Sequence, residues 1–207
     1  MRPFAAFLLA LSLAVGLAAC NKTAPASAAV GDMSLGSPQA KVTVDEYASL
    51  GCPICAKWNN DNFAAFKAKY IDTGKVHYVL REMRTGDAPV AAAGFLLARC
   101  VGKDKYFKVV DAVFRELADL LESERGKEQH DRLLDVAKSA GLTEDQFNAC
   151  VGNDASINDF NERTDKNARD NNVESTPTFV VNGKVLTGYQ DTATLDKAIA
   201  DAGAAAK

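Results

Sequence analysis

At 207 residues, with 47% hydrophobic and 25% charged, the chain can build one packed core, or one core carrying an inserted subdomain. Its net charge of −3 is mild and no block of basic residues is present, which argues against nucleic acid as a partner. A single long apolar run occurs, at the N-terminus, so the rest of the chain is expected to be soluble.

That run, Phe4 to Val15 broken only by Ser12, follows the positive charge of Arg2 and ends in small residues. It is too short to span a bilayer and has the layout of a signal peptide over residues 1–19. Leu17-Ala18-Ala19-Cys20 resembles a bacterial lipobox, in which Cys20 is lipidated and becomes the new N-terminus. The alternative is an ordinary signal peptide cut near Ala18 or Ala19, with Cys20 a free thiol. Residues 20–40, rich in Ala, Ser, Pro and Gly, read as the lipidated Cys and a flexible tether of about 25 Å end to end.

Strand periodicity begins at Val42–Ala48, where Glu46 shares a face with Val42 and Val44. A helical pattern runs from Cys52 to about Tyr70, with Trp58, Phe63, Phe66 and Tyr70 recurring at spacings of three to five. Thr73-Gly74 breaks it, and Val76–Glu82 reads as a second strand with Val76, Tyr78 and Leu80 on one face. Helical segments follow near Val90–Val101, Asp104–Glu122, His130–Ala140, Glu144–Val151 and Ser156–Asn172. Gly141 stops one of them, and Thr143 with Gln146 spells a capping box for the next. Thr178–Val181, an Asn182-Gly183 turn and Lys184–Thr187 read as a hairpin, followed by a helix over Thr192–Ala202 that ends at Gly203. The order is a βαβ unit over 41–86 and a ββα unit over 173–203, separated by a helical insertion at 87–172.

The Cys52-Pro53-Ile54-Cys55 stretch opens a helix directly after a strand. Unpaired N–H groups and the positive end of the helix dipole favour a thiolate there, which marks Cys52 as the nucleophile. Pro53 suits the first helical turn because it lacks an N–H that would go unpaired. Cys55, one turn on, is placed to resolve a mixed disulfide and is expected to be more buried. Half of a zinc site or a structural disulfide are the alternatives. Zinc would need two further ligands, yet no second Cys-x-x-Cys exists and the histidines, His77 and His130, are isolated. No metal is therefore expected, and both histidines read as structural or solvated. Cys100 and Cys150 remain, and an even number of cysteines in an exported chain points to a local pair plus a long-range pair. A Cys100–Cys150 bond would staple the insertion, contributing about 4 kcal/mol in the chain-entropy model. Trp58 reads as packing rather than as a substrate platform.

Glu46-Tyr-Ala-Ser-Leu-Gly-Cys52-Pro-Ile-Cys55 resembles the active-site stretch of the DsbA-like branch of the thioredoxin superfamily. Ser175-Thr176-Pro177-Thr178-Phe179 resembles the cis-proline loop of that family, and the long helical insertion between the two matches it. The resemblance covers about residues 40–202. It implies an α/β, thioredoxin-like fold with an inserted all-helical subdomain, and a cis bond before Pro177. Thr176 and Pro177 would then bind an extended substrate peptide by strand addition beside Cys52. It also implies that Glu46 is a buried acid relaying the proton of Cys55, the alternative being a solvated glutamate. Pro53 and Ile54 would tune the redox poise. Strongly oxidising members carry His where Ile54 stands, and Ile54 offers no hydrogen bond, so a weaker oxidant is expected. The implied function is an oxidase for reduced or unfolded exported proteins, reoxidised by a membrane partner, using no cofactor beyond its Cys52–Cys55 disulfide. A reductase or isomerase is the alternative within the class, since Thr176 resembles the isomerase branch equally. Dimeric isomerases of the superfamily carry a sizeable N-terminal dimerisation domain where this sequence has the short tether, which argues against that alternative, and a monomer is expected. A lipid-anchored, redox-inert binding protein is the reading from another class.

Overall fold

The computed structural model describes residues 31–170 and 172–206. The signal-peptide reading, lipidation at Cys20 and the first part of the tether lie outside these residues. Among the described residues, no helix is long and apolar enough to cross a membrane.

Among the described residues five strands form one mixed sheet: β1 (Met33–Leu35), β2 (Val42–Ala48), β3 (Val76–Glu82), β4 (Thr178–Val181) and β5 (Lys184–Thr187). Their spatial order is β1-β3-β2-β4-β5. Only β2 and β3 run parallel, with Val44 opposite Tyr78 and Glu46 opposite Leu80. A parallel pair needs a long crossover, supplied here by α1 (Pro53–Trp58), α2 (Ala64–Phe66) and two π-helical turns, Asn59–Phe63 and Lys67–Ile71. The first π turn absorbs the five-residue step from Trp58 to Phe63. A uniform α-helix would rotate Phe63 away from the ring cluster it joins, with Trp58 and Tyr78.

The helical insertion comprises α3 (Ala88–Cys100), α4 (Lys103–Glu122), α5 (Lys127–Ser139), α6 (Glu144–Val151) and α7 (Asp154–Asp170). In α4 the buried residues Tyr106, Val109, Val110, Val113, Phe114, Leu117 and Leu120 follow the helical period, which turns one stripe to the core. The capping box at Thr143 and Gln146 is present, and α6 starts where it places the helix N-terminus. The α/β architecture with an inserted helical subdomain is the one the family resemblance implies.

Three boundaries differ most from the sequence reading. Residues 33–35, read as tether, form β1, which pairs antiparallel with β3 and buries Met33. Three residues are too few for a period of two to show, and Gly31 and Gly36 on either side look like linker composition. At the other end, α8 runs Thr192–Ala205, through Gly203. The alanines beyond it have high helix propensity, enough to outweigh the roughly 1 kcal/mol cost of one glycine. Helix α5 begins at Lys127, earlier than its apolar period suggests, because its first turn is polar.

A buried ionic cluster ties the insertion to the sheet. Glu82, the last residue of β3, accepts from Arg99 Nε of α3 at 2.8 Å and Tyr106 Oη of α4 at 2.6 Å. Its second oxygen accepts from Arg163 Nε of α7 at 2.9 Å, and Asn167 Nδ2 donates to its carbonyl at 2.9 Å. Cys100, at the end of α3, is disulfide-bonded to Cys150 of α6, with their Cα atoms 6.1 Å apart. Removing one partner of a buried ion pair strands the other charge. Glu82→Gln should therefore destabilise by about 3 kcal/mol or more, read as a fall in the urea midpoint. An unchanged midpoint would mean that the cluster does not hold the two parts together.

Candidate active site

The chain leaves β2 at Ala48 and turns through Ser49, Leu50 and Gly51 into the N-terminus of α1. Cys52 is the N-cap, with extended backbone (φ −104°, ψ 113°), and its Sγ accepts from the Cys55 N–H at 3.4 Å. Pro53 occupies the first turn, which contains no acidic residue, so no side-chain charge offsets the positive helix end facing the sulfur. Ser49 shapes the turn: its carbonyl accepts from the Cys52 N–H at 3.1 Å and its hydroxyl from the Gly51 N–H at 3.2 Å.

Two loops close on this turn. A Cβ at Gly51 would lie 2.1 Å from the Asp87 carbonyl oxygen, and one at Gly86 would lie 2.0 Å from that of Gly51. The two glycines thus permit direct backbone contact, sealed by the Asp87 N–H donating to the Gly51 carbonyl at 3.0 Å. On the other side is the Thr176–Pro177 peptide bond, which is cis. The Thr176 carbonyl oxygen lies 3.5 Å from Cys52 Sγ, and Pro177 is buried.

The two cysteines, both free thiols, sit in different fields. Cys52 is 7% exposed, and its pKa falls from 9.0 to about 6. The main cause is the hydrogen bond from the Cys55 thiol, opposed by partial burial and aided by Thr176 and the backbone N–H groups of Cys55 and Ile54. Cys55 is fully buried, and burial, then the neighbouring Cys52, push its thiol far above the usual range. One sulfur ionises easily and the other resists. Ile54 is 49% exposed and contributes through its backbone, while its side chain and Pro53 form the outer rim.

Glu46 lies buried on β2, and Tyr78 Oη donates to its Oε2 at 2.6 Å. Burial raises its pKa from 4.5 to about 8, the Tyr78 bond opposes that rise, and the charge of Cys52 adds to it. Glu46 therefore stays protonated at neutral pH and can exchange a proton within the protein. The signs of the two linkages are opposite. Glu46 is accommodated without penalty below its ordinary value of 4.5, and that stability is lost as pH rises through about 8. Ionised Cys52 contributes stability to the reduced protein above 9, lost as pH falls through about 6.

Trp58 is buried, its Nε1 donating to the Gln190 carbonyl at 3.0 Å, and it packs against Phe179. His77 is half-buried on β3, and His130 Nε2 lies 2.8 Å from Asn148 Oδ1. Among the described residues no group of three or more His, Cys, Asp or Glu is placed to hold a metal. Sequence reasoning missed Tyr78 as a partner of Glu46. The clue was available, because a parallel β2–β3 pairing sets the two apolar faces together. It also missed Ser49, Gly51, Thr85 and Gly86, whose roles arise only from the contact between loops.

The family model described as Thioredoxin matches residues 28–201. A protein of Rickettsia bellii (strain RML369-C), named as a candidate protein-disulfide oxidoreductase, is 31% identical over 172 residues, covering 81% of this chain. The chain spans 64% of that relative and 59% of its Rickettsia conorii counterpart, less than two thirds of each. Disulfide bond formation protein D of Bacillus subtilis (strain 168) is 26% identical over 175 residues, covering 78% of this chain and 72% of that protein. Among solved structures, Wolbachia pipientis alpha-DsbA1 superposes with a TM-score of 0.75 at 25% identity, covering 84% of this chain and 92% of the other.

Carboxyl titration of Glu46 by NMR should give a midpoint near 8 in the reduced protein. Tyr78→Phe, which removes the donor to the carboxylate, should move that midpoint higher. A midpoint in the ordinary carboxylate range in either protein would contradict the buried-acid geometry.

Proposed function

Because the chain belongs to the DsbA-like thiol:disulfide oxidoreductases of the thioredoxin superfamily, we propose that it is an exported oxidase that introduces disulfides into reduced or unfolded exported proteins. The observation that carries this reading is the asymmetry at the helix N-terminus. Cys52 is stabilised as a thiolate, whereas Cys55 beside it is kept neutral by burial. A thiolate exists only in the reduced pair, so whatever stabilises it makes the disulfide a stronger oxidant.

In the forward reaction a substrate thiolate attacks Cys52 Sγ of the Cys52–Cys55 disulfide. The bond between the two cysteines breaks, and Cys55 leaves with the electron pair. Its burial makes that anion costly, and protonated Glu46 is the internal acid that supplies a proton. The second substrate thiol, deprotonated, then attacks the substrate sulfur of the mixed disulfide, and Cys52 departs as the stabilised thiolate. The substrate is oxidised by two electrons and the pair is reduced by two. A membrane redox partner would take those electrons and restore the disulfide, so no cofactor beyond the Cys52–Cys55 pair is needed. Thr176, whose carbonyl lies 3.5 Å from the sulfur, and the cis-bonded Pro177 after it would offer the edge on which an extended substrate segment pairs.

Export is supported by the signal-like residues 1–19, and Cys20 is proposed as the lipid-bearing N-terminus that holds the domain at the membrane, as a monomer. Running in reverse as a reductase or isomerase uses the same atoms. The depressed pKa of Cys52 favours the oxidising direction, while Ile54, without a hydrogen-bond donor in its side chain, limits how strong an oxidant results. In cells, the lone Cys52 thiolate of Cys55→Ala should attack disulfides already formed in exported proteins, expelling one substrate thiolate, and accumulate as mixed disulfides that nothing resolves, whereas Cys52→Ala should yield none. Adducts on the Cys52 variant with none on the Cys55 variant would assign the nucleophile to the other sulfur.

A further inference from the structure

Thr85 lies in the segment that carries the chain from β3 into the helical insertion, outside the motifs of the active site. It nonetheless touches both loops that flank Cys52. Its carbonyl accepts from Ser49 Oγ at 2.8 Å, and Ser49 in turn bonds the backbone of Gly51 and Cys52. Its own hydroxyl is hydrogen-bonded to Thr176 Oγ1, on the cis-proline loop. Both threonines are half-buried, so water competes only weakly for this bond.

The position of Thr85 is itself fixed from both sides. The Met83 N–H donates to the Ala48 carbonyl at 2.8 Å, and Arg84 reaches Asn161 and Asp165 of α7 at 2.7 and 2.6 Å. Asp87 caps α3 by accepting from the Val90 N–H at 3.1 Å. Thr85 is thus braced between the sheet and two helices of the insertion.

A hydroxyl pair has one hydrogen to share along the contact, and its direction matters at Cys52. As a thiol, Cys52 can donate to the Thr176 carbonyl 3.5 Å away. As a thiolate it has no hydrogen left and needs donors. Thr176 is the residue beside this sulfur, its carbonyl oxygen 3.5 Å away, and it is among the groups that lower the Cys52 pKa. If Thr85 donates to Thr176 Oγ1, the Thr176 hydrogen is released toward the sulfur, and each link polarises the next. If Thr176 donates to Thr85, that hydrogen is turned away.

We propose that Thr85 is a positioning residue for thiol exchange: its hydroxyl donates to Thr176 Oγ1, orienting the Thr176 hydroxyl toward the Cys52 thiolate. Thr85 thereby links the register of the helical insertion to the ionisation of the nucleophile. This rests on the reading of Cys52 as the exchanging sulfur, but its test reads the sulfur directly rather than turnover.

The experiment is an ultraviolet thiolate titration of reduced wild-type protein, Thr85→Val, Thr85→Ser and Thr176→Val, and of the double variant Thr85→Val with Thr176→Val. Valine keeps the shape and removes the hydroxyl, and thermal melts confirm that each variant is folded. Thr85→Val should raise the Cys52 midpoint by about half a unit or more, and Thr85→Ser should restore it. In the Thr176→Val background, Thr85→Val should shift nothing further. An unchanged or lowered midpoint in Thr85→Val, or an equal shift with and without Thr176, would overturn the proposal. A shift as expected in a protein that exchanges no thiols would retain the relay while defeating the oxidase reading.

Discussion

A negative charge on Cys52 is the interaction on which the rest of the site depends. The sulfur stands at the end of α1, where backbone N–H groups lack helical partners and no acidic side chain competes. Everything beneath it is arranged to stay neutral. Cys55 is sealed from water, Glu46 is protonated through neutral pH, and Tyr78, buried against Glu46, holds its proton well above the usual range. Charge can therefore sit on Cys52 but not beneath it. On the proposed reading that gradient sets the direction of electron flow, because a charge on Cys52 favours the reduced pair.

Holding this gradient in place requires three segments distant in sequence to meet within ångströms. The turn before Cys52, the segment after β3 and the cis-proline loop converge on one sulfur. Gly51 and Gly86 let two of these backbones touch where any side chain would collide. The insertion does more than enlarge the domain, since Glu82 at the end of β3 binds Arg99, Tyr106 and Arg163 from three of its helices. That cluster and the Cys100–Cys150 bond brace the helices to which Arg84 and Asp87 anchor the loop beside Cys52.

Much of this was legible in the amino-acid order because it is local. The alternation of Val42, Val44 and Glu46, the capping pair Thr143 and Gln146, and Asn182-Gly183 each obey a short-range rule, and each element stands where that rule puts it. The Cys-x-x-Cys is local in the same way, and it opens a helix where the sequence places it. What was not legible depends on pairing across distance. Strand β1 has only three residues and is defined by its neighbour β3. Glu82 looked like the end of a strand, and nothing near it in sequence foretells two guanidinium partners. Thr85 reaches Ser49 and Thr176, on the loops beside Cys52, only because the insertion folds it there.

The pH dependence of the Cys52–Cys55 reduction potential against glutathione tests the central claim most directly, since it counts protons taken up with the two electrons. If Cys52 alone ionises, with a midpoint near 6, the potential should fall by about 59 mV per pH unit below that point. Above it the slope should halve to about 30 mV per pH unit, one proton for two electrons, because Cys55 keeps its hydrogen. A slope that stays near 59 mV up to pH 9 would show that Cys52 carries no stabilised charge, and would contradict the account.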